Sequence, residues 1–129
     1  MNLVLVGPHG AGKTTLGRSL AGCLGVPFHA ELGRLLAEDP AWRPPGQTAE
    51  QPMEAFDAEL LRRELARDTA STGVRVVETW HIGNLAYATH RSPVLIPDFI
   101  RAIKGAGPMV VIPLLARRET LEQRRSEPG

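Results

Sequence analysis

The chain has 129 residues, a formal charge of +1, 43 % apolar residues and 22 % charged residues, which suits one soluble domain with a single core. That balance gives no general reason to expect a nucleic acid or an anionic membrane as partner, and no apolar run approaches the ~18 residues of a membrane span. The apolar N-terminus runs straight into a glycine loop, so no signal peptide is expected, and the single cysteine, Cys23, excludes an intrachain disulfide framework; a reducing cytoplasm is the expected setting.

In chain order, the apolar run 3–6 reads as a buried strand. Gly7-Pro8-His9-Gly10-Ala11-Gly12-Lys13-Thr14 follows. Residues 13–24 then read as a helix with Leu16, Leu20, Cys23 and Leu24 on its apolar stripe, which puts Cys23 in the core. Gly25 suits the position just past that helix. Val26-Pro27-Phe28 reads as an edge-like strand, where proline is tolerated, and 31–38 as a short helix carrying Leu32, Leu35 and Leu36. Three prolines make 39–46 an exposed connection, with Trp42 expected to cover the core edge. Thr48 and Gln51 form a capping-box pair opening a helix to about Thr69, with Met53, Phe56, Leu60, Leu61 and Leu65 inward. After Gly73, residues 74–78 read as the third strand. Helices over 83–88 and 93–104, a fourth strand over 109–115 and a polar helix over 119–125 complete the chain.

Alternating strands and helices, joined by crossovers too long for hairpins, specify an α/β protein: a single three-layer α/β/α domain over residues 1–129 with a parallel sheet. In such a sheet the ligand crevice lies beyond the carboxyl ends of the strands. The glycine segment stands there and is a complete Walker A motif. Gly7, His9, Gly10, Ala11, Gly12, Lys13, Thr14 and Thr15 are the expected ATP contacts, with the His9 side chain turned to solvent. Glycines let successive N–H groups converge on an anion, and the helix that starts there adds unpaired N–H groups and the positive end of its dipole. Lys13 supplies a mobile charge for the β and γ phosphates, and the Thr14 hydroxyl is the expected Mg²⁺ ligand.

Glu78 ends the third strand. A carboxylate there can hold Mg²⁺ with Thr14, through bound water, or take a proton from an attacking hydroxyl. The bland reading is an ordinary polar strand end, and Glu31, after the second strand, is the competing acid. Arg117, Arg118, Arg124 and Arg125 read either as a mobile lid, with Arg117 and Arg124 catalytic, or as a solvated helix laced by Glu–Arg pairs. His29, His81 and His90 lack metal-ligand spacing, so no zinc site is expected.

The run Glu78-Thr79-Trp80-His81-Ile82-Gly83-Asn84-Leu85-Ala86-Tyr87-Ala88 resembles the segment after the third strand of thymidylate kinases. The wider pattern resembles P-loop nucleoside and nucleotide kinases. The opening Gly10-Ala11-Gly12-Lys13-Thr14-Thr15-Leu16-Gly17-Arg18-Ser19-Leu20-Ala21 also resembles shikimate-kinase-type enzymes, and Glu31 with Arg34 resembles an acid–arginine pair of nicotinamide-riboside-kinase-like domains. The resemblance implies a P-loop nucleoside triphosphate hydrolase fold and MgATP-dependent phosphoryl transfer to a small acceptor, a nucleoside or nucleotide. It maps Glu78 onto the acid that handles Mg²⁺ or the acceptor hydroxyl, Trp80 onto the aromatic beside the acceptor, and Tyr87 onto the tyrosine of an Ala-Tyr pair. With Glu31, Arg34 and Arg91 these form the expected acceptor site. Thr79 stands where the family has arginine and Ala88 where it has glutamine, which argues against thymidylate itself; Arg91, His81 and Arg34 are the candidates to restore the lost cation. Such kinases return from the lid to a fifth strand, which is missing here. The chain is therefore expected to be C-terminally truncated, completed by a partner (a homo-oligomer is compatible) or a minimal member. The alternative from another class is an ATP- or GTP-binding switch without a small-molecule acceptor.

Overall fold

The computed structural model describes residues 1–42 and 53–125. Its elements are β1 (Asn2–Val6), α1 (Lys13–Leu24), β2 (Phe28–His29), α2 (Leu32–Glu38), α3 (Glu54–Ala70), β3 (Arg75–Glu78), α4 (Trp80–Arg91), α5 (Ile96–Gly105), β4 (Met109–Pro113) and α6 (Arg118–Arg125). Short 3₁₀ turns at Pro40–Trp42 and Pro93–Leu95 precede α3 and α5. The capping-box pair Thr48 and Gln51 lies outside the described residues.

All pairings in the four-stranded sheet are parallel, in the order β2-β3-β1-β4. Period-two alternation splits the sheet's side chains between two helical layers. Val4 and Val77 pack with Trp80, Ile82, Ala106 and Met109 on one face, whereas Leu5 and Val76 pack with Ala21, Leu20, Phe28 and Ile112 on the other. The first face is extended by α3, α4 and α5, which bury Leu61, Ala88, Phe99 and Ala102 among themselves. The expected three-layer α/β/α architecture is therefore what forms.

The outward face of α1 differs from the sequence reading. Leu16 and Leu24 are 42 % and 52 % exposed, and Cys23 is exposed as well. Besides Lys13 at its start, the buried positions are Gly17 and Ala21, about one turn apart. A Cβ on Gly17 would lie 2.4 Å from Cε2 of Phe28, so α1 sits on the sheet at a distance its larger side chains could not allow. Small residues, joined by Leu20 of the expected stripe, set this packing. In α2, Leu36 is buried while Leu35 is exposed, and in α3 Leu65 is exposed.

Two further differences concern polarity and boundaries. Asp57 and Glu64 are buried on α3 beside Leu60 and Leu61. The helix after β3 begins at Trp80 rather than at Gly83. β4 forms one edge of the sheet, with Val110 and Val111 about two-fifths exposed. No fifth strand is present among the described residues.

Candidate functional site

β1 delivers the chain into the glycine loop, and Gly12 closes the loop as the left-handed residue before α1 (φ 91°, ψ 22°). That conformation is cheap for glycine and costly for other residues, and it aims the first N–H groups of α1 into the loop. Lys13 is buried, its ammonium donating to the Gly7 carbonyl oxygen at 2.6 Å. The residue expected to meet phosphate thus lies folded across the loop. His9 and Thr15 are exposed at the rim, as the first was expected to be.

Parallel register sets Glu78 against Leu5, two residues ahead of Gly7. From there its buried carboxylate reaches α1: the Thr14 hydroxyl lies 2.9 Å from both Glu78 oxygens. Arg34, from α2, approaches the same carboxylate at 4.0 Å and is 43 % exposed. A hydroxyl and a carboxylate beside a phosphate-binding loop form an all-oxygen donor set, the chemistry that suits Mg²⁺. Thr14 and Glu78 therefore fit the ion that the loop implies.

The backbone beyond Glu78 is unusual. Thr79 has φ 70°, ψ −66°, and Trp80 has φ 54°. Neither is glycine, so both conformations are costly and persist only where surroundings impose them. The Thr79 N–H donates to Leu5 O at 2.8 Å, and Gly83 N–H donates to Thr79 O at 2.9 Å. A Cβ on Gly83 would come 2.4 Å from Cγ2 of Thr79, so only glycine fits under the turn.

The turn is anchored from α3. The Asp68 carboxylate accepts from Trp80 Nε1–H at 2.8 Å, His81 Nε2–H at 2.7 Å and the Arg75 guanidinium. Burial alone would raise the Asp68 pKa, but these hydrogen bonds outweigh it and hold the carboxyl below its ordinary range. Arg75 also donates to Asn2 Oδ1, His29 Nδ1 and Ser71 Oγ, so it ties together the starts of β1 and β3, the end of α3, and β2. Nearby, Glu64 is paired with Arg67, yet desolvation keeps its pKa raised.

Several expected acceptor contacts are used elsewhere. Trp80 is fully buried with its indole N–H on Asp68, so it supports the sheet instead of facing the crevice. Arg91 is bidentate to buried Asp57 and lies over the rings of Phe56 and Tyr87, 5.6 and 5.3 Å from their centroids. Tyr87 and Arg91 stand seven and eleven residues into α4, roughly 10 and 16 Å along its axis from Trp80. His81 is buried against Asp68. Of the three candidates to replace the missing cation, Arg34 is the one that meets Glu78. Glu31 is half-buried at the start of α2.

Arg117 follows β4, whose register sets Pro113 beside Val6, and is exposed. Arg118 pairs with Glu122 at 3.0 Å on the exposed surface of α6. The side chain of Arg124 lies outside the described residues.

The sequence reading missed the Asp68–Arg75 cluster. Asp57, Leu61, Glu64 and Asp68 share one face of α3 at spacings of four, three and four, a polar stripe at core periodicity that signals partnered buried charge.

A family described as AAA domain matches residues 2–105. Over 133 aligned residues the chain is 32 % identical to a shikimate kinase of Salinispora arenicola (strain CNS-205), covering 95 % of this chain and 78 % of that protein. No helix among the described residues is long and apolar enough to cross a membrane.

Proposed function

Because the chain belongs to the AAA domain family and is a P-loop small-molecule kinase, we propose that it transfers the γ-phosphoryl group of ATP to a hydroxyl of a small anionic acceptor bound beside Glu78 and Arg34. The observation that carries this reading is the convergence of Thr14 and Arg34 on the Glu78 carboxylate, at 2.9 and 4.0 Å.

The loop N–H groups from Gly7 to Thr15 would hold the phosphates, and Lys13 would exchange the Gly7 carbonyl for a phosphate oxygen. Thr14 and Glu78 would hold Mg²⁺, and the ion's charge would offset that of the phosphates. Glu78 is also the acid set to accept the acceptor's hydroxyl proton. Arg117 and Arg124 belong to a lid in this reading, neutralising charge that develops during transfer. Positioning and charge carry such reactions more than a strong base does.

Acceptor chemistry follows from what borders Glu78. A nucleobase needs an aromatic platform, and Trp80 is buried while Tyr87 carries Arg91. Arg34 instead offers a half-exposed cation next to the reacting end, with Glu31 on the same short segment. A hydroxylated carboxylic acid is therefore the first acceptor class. The relative named a shikimate kinase supports it, and a nucleotide is the second. ATP dependence and an exposed free Cys23 fit a cytoplasmic setting.

The test is an acceptor panel with MgATP: shikimate, nucleoside monophosphates and uncharged nucleosides, with phosphorylated product identified by mass. Product from anionic acceptors supports the reading, and product from uncharged nucleosides alone overturns the acceptor class. Inorganic phosphate without any phosphorylated acceptor would mark a switch NTPase.

A further inference from the structure

We propose that Asp68 is a positioning residue: from outside the crevice it holds the strained Thr79–Trp80 turn, and through that turn it fixes the Glu78 carboxylate against Thr14. This rests on Glu78 being the working acid of the site.

Two consecutive non-glycine residues with positive φ directly follow Glu78. Such strain needs a compensating constraint, and it concentrates where a side chain must be aimed. The constraint is Asp68, which accepts from Trp80 Nε1 at 2.8 Å and from His81 Nε2 at 2.7 Å, the first two residues of α4. Arg75, at the other end of β3, makes the third bond. One carboxylate thus grips β3 before Glu78 and α4 after it.

The turn is poorly satisfied otherwise. Among the described residues, Thr79 Oγ1 and His81 Nδ1 are buried without a hydrogen-bond partner. Unsatisfied buried groups cost stability, so this segment would relax if its clamp were lost. Relaxation toward negative φ would rotate the peptide between Glu78 and Thr79, which pairs with Leu5, and would carry the carboxylate away from Thr14. A misplacement of about 1 Å at a reacting group can cost roughly a hundredfold in rate.

The experiment measures Mg²⁺-dependent ATP hydrolysis by phosphate release in Asp68→Asn, Glu78→Gln and the double variant, with affinity for a non-hydrolysable ATP analogue and thermal midpoint alongside. Asp68→Asn removes the charge and keeps the size. In the wild-type background it should slow turnover roughly ten- to a hundredfold and raise the Mg²⁺ concentration needed for half activity, while analogue affinity stays nearly unchanged. In the Glu78→Gln background it should slow turnover no further, because it acts through that carboxylate. A purely structural residue would give equal losses in both backgrounds, or a lower midpoint with normal turnover; either result overturns the proposal. If Asp68→Asn does not fold, Trp80→Phe, which deletes one of its donors, is read by the same cycle. Glu78→Gln with normal turnover would sink the site reading itself, whereas a slow Glu78→Gln beside a normal Asp68→Asn sinks this proposal alone.

Discussion

The Thr14 hydroxyl lies equally close, at 2.9 Å, to both carboxylate oxygens of Glu78, a residue 64 positions further along the chain. The contact joins the first turn of α1 to the tip of β3. It exists because β1 and β3 are adjacent and parallel, which sets their C-terminal ends side by side. Consequences for binding, packing, pH and motion can each be checked.

Lys13 is buried and bonded to the Gly7 carbonyl, so its charge is held in the loop before ligand arrives. Lys13→Ala should abolish turnover and weaken binding of a non-hydrolysable ATP analogue far more than binding of adenosine, because the lost charge faces phosphate alone. Calorimetric titration with both ligands checks this. Equal losses for the two would assign Lys13 a structural role.

Gly83→Ala tests the packing under the turn. The new methyl would collide with Cγ2 of Thr79, an overpacking that typically costs about 1–3 kcal/mol. Chemical denaturation should show that loss, and Thr79→Ser, which removes the colliding methyl, should recover part of it. A Gly83→Ala protein of unchanged stability would mean that the Thr79 conformation is easily abandoned.

His29 provides a pH signature. Burial first, then the cations of Arg67 and Arg75, lower its pKa below the ordinary 6.5, with Asp68 opposing. A group with a lowered folded pKa contributes stability that is present above the unfolded value and lost as pH falls through the folded one. Stability should therefore decline on acidification from about pH 7 toward 5, and His29→Gln should flatten that slope. Asp68 has the same sign at more acid pH, whereas raised Glu64 contributes in the opposite direction. Urea midpoints across this range, with and without His29, decide it.

Residues 116–125 should exchange amide protons quickly without ligand and more slowly with MgATP and an acceptor. Leu121 is the sole apolar residue from Arg117 to Arg125. The Arg118–Glu122 pair is exposed, so it contributes little. Among the described side chains of this segment, Arg117, Arg118, Glu119, Glu122 and Gln123 are exposed, and few buried contacts mean a low opening free energy. Slow exchange in the free protein, or exchange indifferent to ligand, would make α6 a fixed structural helix.

What could be read from the chain alone follows from range. The Walker A loop is local: its glycines, Lys13 and Thr14 are contiguous, and a strand and helix of the right type flank it. The acid at Glu78 was legible because a strand end in a parallel sheet has one place to go. The spacing along α3 marks Asp68 as partnered buried charge, but its partners were not legible, since Asn2, His29, Arg75 and Trp80 meet it or one another through tertiary contacts. Trp80 was misplaced for a related reason. Resemblance fixed its position in the chain, but the positive φ values at Thr79 and Trp80 turn its ring into the sheet. On α1, periodicity marked Leu16, Leu20, Cys23 and Leu24, but close approach selected Gly17 and Ala21, and of the stripe Leu20 packs beside them.

If Glu78, set against Thr14, works in phosphoryl transfer to a small acceptor, removing its charge must slow that transfer. The direct measurement is single-turnover transfer of label from γ-labelled ATP to the best acceptor of the panel, in wild type and in Glu78→Gln. The wild-type protein should label the acceptor only with Mg²⁺ present, and Glu78→Gln should keep most of its ATP affinity while transferring roughly 10²–10⁴-fold more slowly. Transfer at an undiminished rate with normal Mg²⁺ dependence in Glu78→Gln would contradict the account and shift the role to Glu31.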